Sequence, residues 1–454
     1  MINEIDDDIT FDDRDEFGRK VIAEKVISLL VSDTEVSPMI IDGSWGTGKT
    51  EFCKKLINLI KENNTEYSVA YIDAFRYDNN SEPLLAVLSA IIKVLPETEQ
   101  SSLKEKALPA IKFGLKTTLK AGISWILKQD ATDIVDDFEE DLKNAGDAAV
   151  SHAVETILKD HVESQDSIDL LIDSLTEVTR EKPIIIVIDE LDRCRPDYSV
   201  SMLEYIKHIF NIENIQFVLV TNTEQLKSSV NHSYGVSINA QKYLDKFISY
   251  SFSLPQIINL QAHNENHVSI VHMQGLLNSS TVLNESMLNE RGSDQLIETL
   301  IKVNNLSLRE VETFVRYLEI YNTITERKGF NQKLIYGYRL LRILGVFIFC
   351  FHNDKSEELS NGRVDCLFLS NLLGKSSLPT TEEDRHVNIF DILVAIFSSE
   401  LNSQDSRFRD SYENNMNLWE RRIGSLFQSG GFPPERGERL KIITSTFHTL
   451  KLSS

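Results

Sequence analysis

The sequence predicts an α/β protein in which a parallel sheet occupies the first half of the chain and helices make up the rest. Up to about residue 255, short apolar runs alternate with amphipathic stretches, which is typical of strands joined by crossover helices. Beyond that point apolar residues recur at helical spacing between polar connections. A chain of 454 residues is long enough for two or three domains with cores of their own.

Five apolar runs are predicted strands, and the third carries the clearest pattern. The strands are expected at 38–42, 68–73, 183–189, 216–222 and 249–254. Residues 183–189 (PIIIVID) are apolar without alternation, which indicates a strand buried on both faces. Helices are expected at 19–31, 51–62, 82–95, 166–180, 200–210, 240–248, 307–321 and 333–351.

Residues 96–165 interrupt this alternation and predict a helical insertion with a basic first part and an acidic second part. Lys112, Lys116 and Lys120 recur every four residues, so they share one helix face. Such a face fits packing on the core or on the acidic helix downstream, a nucleic-acid contact, or a membrane surface. The acidic segment next to it favours the packed arrangement over peripheral membrane contact.

Residues 43–50 form a glycine-rich run, GSWGTGKT, between a predicted strand and a predicted helix. The run fits G-x-x-x-x-G-K-[S/T] at every fixed position. In such a loop, backbone N–H groups hold phosphate oxygens, the lysine reaches the β- and γ-phosphates and the last hydroxyl coordinates Mg²⁺. We call this loop the phosphate cradle and expect its residues to bind the nucleotide: Gly43, Ser44, Trp45, Gly46, Thr47, Gly48, Lys49 and Thr50, with Glu51 directly after them.

The third predicted strand ends in two acids, Asp189 and Glu190. We expect Asp189 to hold Mg²⁺ together with Thr50, and Glu190 to orient or deprotonate the attacking water. Asp192 is a second candidate for either role. About 140 residues separate Lys49 from Asp189, which implies at least one strand between the cradle strand and the acid strand.

Three more polar residues lie near these motifs, and each has two interpretations. Asn222 ends the next predicted strand, where it would contact the γ-phosphate or the water, or be an ordinary loop residue. Arg193 or Arg195 would act as an arginine finger in a neighbouring subunit. A local salt bridge to Asp192 or Asp197 is the commoner arrangement for such arginines.

Together these segments resemble the KAP family of P-loop NTPases. The similarity lies in GSWGTGKT, IDELDRCRP, YIDAFRY, QKYLDKFISYSFSLP and NNLSLREVETFVRYL, and spans about residues 10–325 without the insertion. It implies an additional-strand ATPase core related to AAA+ and STAND proteins. The predicted organisation is therefore a P-loop NTPase core at 1–255 with a helical insertion at about 96–165, a helical lid at 256–330 and a C-terminal helical domain at 331–454.

The resemblance also implies roles for residues outside the two motifs. Arg309 maps onto a lid arginine that senses the γ-phosphate, with a surface arginine near Glu310 as the alternative. Phe17 and Gly18, followed by Arg19, map onto a segment that lines the adenine, with a plain helix start as the alternative.

The chain departs from the family pattern in two respects. Many members carry transmembrane helices between the two halves of the core, whereas the insertion here has none, which argues against membrane attachment. Many members have a second aspartate where this chain has Glu190, and glutamate is the usual water-orienting residue in related ATPases. Prokaryotic members of the family are linked to phage exclusion or defence.

Composition and charge indicate which partners and which cellular compartment to expect for this protein. A formal net charge of -22 disfavours nucleic acid, although one local basic stretch at 327–342 contains Arg327, Lys328, Lys333, Arg339 and Arg342. The four cysteines lack metal or disulfide spacing, and the acidic first residues do not resemble a secretory or mitochondrial leader. The run at 340–351 is too short to span a membrane and predicts a buried core element. We expect a cytoplasmic protein with free thiols.

The leading functional prediction is Mg²⁺-dependent ATP binding and hydrolysis that drives a conformational switch in a homo-oligomer, together with a protein effector or partner subunit. One alternative is a nucleotide-gated scaffold that recruits an effector with little turnover. The other is an ATPase stimulated by nucleic acid.

Overall fold

The chain forms two compact units, Met1–Pro255 and Gln256–Ser454. The computed structural model describes residues 9–78, 82–101, 103–104, 168–208, 210–261, 264–290, 292–379, 387–401, 405–428 and 433–452. Most of the predicted insertion at 96–165 lies outside these ranges, so the interpretations of its lysines stay predictions.

The first unit contains a parallel five-stranded sheet, as the sequence predicts. Its strands are β1 (Met39–Asp42), β2 (Ser68–Asp73), β3 (Ile184–Asp189), β4 (Ile215–Thr221) and β5 (Tyr250–Ser253). Their order in the sheet is β2-β3-β4-β1-β5, so β4 separates the cradle strand β1 from the acid strand β3. This confirms the intervening strand expected from the spacing of the two motifs.

Each face of the sheet has its own apolar core, because successive side chains of a strand point to opposite faces. In β3, Ile184, Ile186 and Ile188 belong to one core, whereas Ile185 and Val187 belong to the other. The helices of this unit are α1 (Lys20–Leu30), α2 (Lys49–Asn63), α3 (Ala74–Tyr77), α4 (Pro83–Val94), α5 (168–179), α6 (Pro196–His208), α7 (Thr223–Tyr234) and α8 (Ala240–Leu244). Burial of β3 on both faces makes the position of its last residue, Asp189, well defined.

The second unit begins with an antiparallel hairpin, β6 (Ile257–Gln261) and β7 (Asn264–His267). The prediction that only helices follow residue 256 is therefore wrong at this point. Both strands are short: β6 (IINLQ) begins with two apolar residues in succession, and β7 (NENH) is entirely polar, so neither has the apolar alternation that would have identified it. Helices follow, namely α9 (Val268–Ser279), α10 (Ser293–Val303), α11 (Leu308–Ile324), α12 (Tyr336–Phe351), α13 (Asn353–Ser360), α14 (Cys366–Leu372), α15 (Ile389–Glu400), α16 (Ser406–Glu413), α17 (Met416–Ser425) and α18 (Arg439–Leu450).

One apolar core joins the predicted lid and the predicted C-terminal domain. Phe314 of α11 lies on one side of residue 330, and Phe347, Phe397 and Phe447 lie on the other, yet all four belong to the same core. The run at 340–351 lies within α12, whose residues Leu340, Leu341 and Leu344 are fully buried, as predicted. No helix in the described part of the chain combines the length and apolar character of a membrane-crossing segment.

The basic stretch at 327–342 does not form one continuous charged surface. Arg339 is buried, pairs with Glu290 at 3.3 Å and lies over the ring of Tyr336. Arg342 donates from Nη1 to the carbonyls of Lys328 and Gly329, at 3.2 and 3.1 Å. Two of its cations are thus held in internal contacts.

The thiols agree with the expectation from cysteine spacing. All four cysteines are free, namely Cys53, Cys194, Cys350 and Cys366. Cys53, Cys194 and Cys366 are buried, so their thiols are packed as small apolar groups.

Candidate nucleotide-binding site

The phosphate cradle occupies the turn from β1 to α2, and its glycines are required by its backbone. Gly46 and Gly48 have φ values of 74° and 80°, in the left-handed region that favours glycine. A Cβ added to Gly43 would lie 2.7 Å from the Thr47 hydroxyl. The pattern of fixed glycines therefore reflects the folded path of the loop, as the motif predicts.

Lys49 lies at the centre of the cradle and is 9% exposed. Its Nζ donates to the carbonyl of Gly43 and, at 3.1 Å, to that of Ser44. Burial lowers the pKa of Lys49, whereas the nearby carboxylates of Asp192 and Asp189 act in the opposite direction. The lysine charge is thus held between the loop and the acids that follow β3.

Asp189 is the last residue of β3 and is 1% exposed. Its carboxylate accepts the backbone N–H of Glu190 at 2.8 Å and hydrogen-bonds the Thr50 hydroxyl of α2. Tyr71 of β2 donates to it at 3.4 Å. Burial raises the pKa of Asp189 to about 6, although the hydrogen bonds from Thr50 and Glu190 act to lower it.

The structure therefore brings together Thr50 and Asp189, the two residues predicted to hold the metal. Hydroxyl and carboxylate oxygens are the protein ligands that Mg²⁺ prefers. A cation beside Asp189 would also favour the ionised carboxylate, which burial alone disfavours. The chemistry of the pair fits Mg²⁺.

Glu190, the predicted water-orienting residue, is ion-paired. Arg193 approaches its Oε1 at 2.9 Å, and the backbone of Glu190 is left-handed, with φ 60° and ψ 24°. A left-handed conformation costs a residue other than glycine about 1–2 kcal/mol. The side chain of Glu190 is 19% exposed, so solvent reaches the pair.

The two arginines after the acids form local salt bridges, with main partners other than those predicted. Arg193 pairs with Glu190. Arg195 donates from Nε to Asp78 at 2.9 Å and from its backbone N–H to the same carboxylate at 2.8 Å, while Asp197 lies at 3.9 Å. The sequence did not indicate Asp78 as a partner, because it directly follows α3, 117 residues before Arg195.

Asp192 has both carboxylate oxygens engaged by other side chains. The indole N–H of Trp45 donates to one oxygen at 2.8 Å, and the hydroxyl of Thr221 donates to the other at 3.2 Å. Asp192 is 9% exposed, whereas Trp45 is 52% exposed. The sequence contained both residues, but it did not indicate that they meet.

Asn222 follows β4 and forms the N-cap of α7. Its side-chain oxygen accepts the backbone N–H groups of Glu224 and Gln225, at 3.1 and 3.4 Å. Nearby, Asp42 at the end of β1 accepts the backbone N–H of Thr223 at 2.8 Å. Asn222 thus lies at the carboxyl edge of the sheet with a capping role that was not among its predicted roles.

The segment before α1 contacts the cradle through Arg19. This residue is 4% exposed, and its Nη2 donates to the carbonyl of Thr47 at 3.1 Å. Its guanidinium lies 4.8 Å from the ring centre of Phe17, and Gly18 has a left-handed φ of 61°. Burial lowers the pKa of Arg19 to about 10, against the effect of nearby Glu51. The predicted role of Phe17 and Gly18 at the adenine stays a prediction. The contact of Arg19 with the cradle was not predicted from the sequence.

The same N-terminal segment lies along α2. Phe11 packs edge-on against Phe52 at 5.9 Å, and Asn58 donates from Nδ2 to the carbonyl of Ile9 at 3.0 Å. Lys55 donates to the carbonyl of Arg14. Residues 9–19 therefore pack against the helix that carries the cradle.

Two of the predicted site residues, Glu51 and Arg309, are exposed on the surface of their own units. Glu51 is exposed in the first turn of α2 and pairs with Lys55 at 2.7 Å. Arg309 belongs to the second unit, where it is exposed in the first turn of α11, between Ser307 and Glu310 of the capping box. Its predicted contact with the γ-phosphate stays a prediction.

Comparisons with known proteins agree with these motifs. The sequence model of the KAP family P-loop domain matches residues 19–325. The phage T7 exclusion protein of Escherichia coli (strain K12) is 20% identical over 270 residues, which are 55% of this chain and 34% of that protein. This chain thus matches about a third of the relative's length.

A solved structure, the Aeropyrum pernix ORC2 protein in ADPNP-ADP complexes, is 12% identical and is matched over 96% of this chain and 94% of that one, with a TM-score of 0.34. The family match carries the assignment, because it includes the cradle, the acid strand and α11 and extends over more than half of the 454 residues. The chain belongs to the KAP family of P-loop NTPases.

Proposed function

We propose that this protein binds Mg²⁺-ATP in the phosphate cradle and hydrolyses it. The observation that carries the proposal is the meeting of Thr50 and Asp189 beside the cradle, with Glu190 one residue further along the chain. Membership of a P-loop NTPase family supports nucleotide binding at this place. The acids at the end of β3, Asp189 and Glu190, support hydrolysis as well as binding, because a hydrolase needs a metal ligand and a residue that orients the water.

The chain's own residues would divide the work as follows. Lys49 would exchange the carbonyls of Gly43 and Ser44 for β- and γ-phosphate oxygens. Thr50 and Asp189 would hold Mg²⁺, which supplies positive charge to the phosphate oxygens when it is bound. Glu190 would orient the attacking water and accept its proton.

The ion pair of Glu190 with Arg193 supports a linkage between hydrolysis and conformation. A carboxylate that is paired with a guanidinium is a weaker proton acceptor than one that is not. Glu190 would therefore act after Arg193 moves away, and a change of its strained left-handed backbone to a common conformation would accompany that step. We infer a switch between a paired and an active state.

The wider role proposed here is that of a conformational switch in a cytoplasmic homo-oligomer that engages a protein effector in anti-phage defence. The similarity to the phage T7 exclusion protein is the support for defence. In plaque assays, cells that produce the wild-type protein should form fewer phage plaques than cells that produce Lys49→Ala. Equal plaque numbers would remove the link between defence and the cradle.

The enzymatic proposal is tested by two variants and a matched control. Lys49→Ala should lose nucleotide binding, and Glu190→Gln should keep binding but lose turnover by about 100-fold or more. Lys54→Ala, another lysine of α2 outside the cradle, should behave as the wild type. Nucleotide binding is measured by calorimetry and turnover by phosphate release, and unchanged hydrolysis in both site variants would contradict the assignment.

A nucleotide-gated scaffold with little turnover is the second candidate function. The pairing of Glu190 with Arg193 favours this function. If the pair never opened, the protein would bind ATP in the cradle, but Glu190 would not activate the attacking water. Single-turnover and steady-state measurements separate the two, since a scaffold would retain ATP on the protein for many minutes without releasing phosphate.

A further inference from the structure

We propose that Asp192 is a positioning residue that fixes the phosphate cradle through Trp45 and connects it to the end of β4. The contacts that support this form the Trp45–Asp192–Thr221 bridge. The proposal rests on the proposed function, since it assigns a role in nucleotide binding. The sequence predicted Asp192 as a metal ligand, a base or a salt-bridge partner of Arg193 or Arg195.

The first observation is the unusual situation of Trp45. Its large ring is 52% exposed within a loop that turns tightly around its glycines, so burial does not explain its position. Instead its indole N–H donates to a carboxylate at 2.8 Å. Hydrogen bonds to ionised groups are about twice as strong as those between neutral groups, so this contact fixes the loop at its third residue.

The second observation is the burial of the acceptor. Asp192 is 9% exposed, and a buried carboxylate is costly unless its oxygens are satisfied. Its other oxygen accepts from Thr221, a fully buried residue at the end of β4 directly before Asn222. The bridge therefore joins the cradle, the turn after β3 and the end of β4, three segments that are distant along the chain.

The third observation is the position of Asp192 relative to Lys49. Burial lowers the pKa of the Lys49 ammonium, and the nearby carboxylate of Asp192 acts in the opposite direction. Phosphates bound by Lys49 would bring further negative charge close to Asp192 and compete for the same cation. The bridge should therefore respond to the number of phosphates in the cradle, and the Trp45 ring should report that response.

A bridge of this kind organises the cradle before the nucleotide arrives. Its removal should weaken binding, because the loop would have to be ordered by the ligand, and should affect binding more than the chemical step. We expect Trp45→Phe and Asp192→Ala each to raise the dissociation constant of Mg²⁺-ATP about tenfold, with a smaller effect on kcat at saturation. Asp192→Asn retains one oxygen acceptor and should recover part of the loss.

The decisive experiment is a double-mutant cycle on the full chain. If the two residues act through one contact, Trp45→Phe/Asp192→Ala should bind Mg²⁺-ATP no more weakly than either single variant. Trp419→Phe is the matched control, because its indole N–H is buried in the second unit without a partner among the described residues. The ATP-dependent change in tryptophan fluorescence should vanish in Trp45→Phe and persist in Trp419→Phe.

Several results would overturn the proposal. Additive losses in the double variant, or wild-type affinity in Trp45→Phe, would show that the bridge does not position the cradle. If Asp192→Ala does not fold, Thr221→Val tests the other half of the bridge and should weaken binding at least threefold. Absence of ATP binding in the wild type would refute the proposed function itself, whereas normal binding with additive losses refutes the bridge alone.

Discussion

Two sets of buried charges, one around Arg439 in the second unit and one around the cradle in the first, are satisfied to different degrees. In the second unit Arg439 of α18 donates to both oxygens of Glu420 in α17 and to the carbonyl of Pro434, and Arg439 lowers the pKa of the Glu420 carboxyl. In the first unit burial raises the pKa of Asp189 to about 6, and Nε of Arg19 is buried without a hydrogen-bond partner among the described residues.

The difference separates charges that hold a fold together from charges arranged for a ligand. A paired set such as Arg439 and Glu420 is complete within the protein. Incompletely compensated groups such as Asp189 cluster at functional sites, because the missing charge is supplied from outside. Loss of a charge should therefore lower the stability of the fold around Arg439, whereas at Asp189 it should leave stability intact and lower activity.

The largest effect is expected in the second unit. Arg439→Ala should lower the free energy of unfolding by about 3 kcal/mol, because it leaves Glu420 and the nearly buried Glu400 without their cation. Chemical denaturation measures the loss. Arg409→Ala, which removes an exposed pair with Asp410, should change stability by less than about 0.5 kcal/mol, and equal losses in the two variants would contradict the comparison.

At the cradle, neutralising a buried charge should leave stability intact and remove activity. Asp189→Asn should unfold at the same or a higher temperature than the wild type, because the folded state disfavours the ionised carboxylate. Its kcat/KM for Mg²⁺-ATP should fall about 100-fold. Melting curves and phosphate-release assays on one preparation test both expectations, and a marked drop in melting temperature would place Asp189 among the structural charges.

The pH dependence should show the same property. The pKa of Asp189 is about 6 in the folded protein, above the ordinary 3.8, so the native state retains a proton here that the unfolded state has lost. Its contribution to stability therefore declines as pH rises from 3.8 to about 6. Mg²⁺ affinity should change in the opposite sense and fall about tenfold for each pH unit below 6. Titration of Mg²⁺-dependent ATP binding between pH 5 and 8 tests this, and a flat profile would contradict it.

The smallest effect concerns the two arginines after the acids. Arg193→Ala should remove the ion pair to Glu190 and raise basal hydrolysis about two- to fivefold, since a solvent-accessible ion pair contributes at most about 1 kcal/mol. Arg195→Ala should instead lower the free energy of unfolding by about 1–2 kcal/mol, because the carboxylate of Asp78 is 5% exposed and loses its guanidinium while keeping only the backbone N–H of residue 195. A reversed pattern would mean that Arg195, not Arg193, controls the site.

Local patterns predicted the parts of the site that local geometry determines. The cradle glycines, the apolar strand β3 and its terminal acids all follow from contiguous residues, and the sheet order agrees with the spacing of the motifs. The helix α7 was missed although Asn222 followed by Thr223 and Glu224 is a recognisable N-cap sequence.

Contacts between distant side chains were not predictable in the same way. Arg195 and Asp78 are 117 residues apart, and Trp45 and Asp192 are 147 residues apart. Each pairing depends on how the strand ends line up in the folded sheet. Composition and periodicity give the strands themselves, but not which polar groups come within hydrogen-bond distance beyond them.

The N-terminal segment has a practical consequence for dissecting this protein. Arg19 donates to the carbonyl of Thr47 in the cradle. Phe11 packs against α2, and side chains of α2 donate to the carbonyls of Ile9 and Arg14. A shortened version that starts at β1 would expose the apolar side of α2 and leave the carbonyl of Thr47 without its guanidinium. The smallest fragment suitable for ligand screening or crystallisation of the first unit should therefore retain residues 9–19.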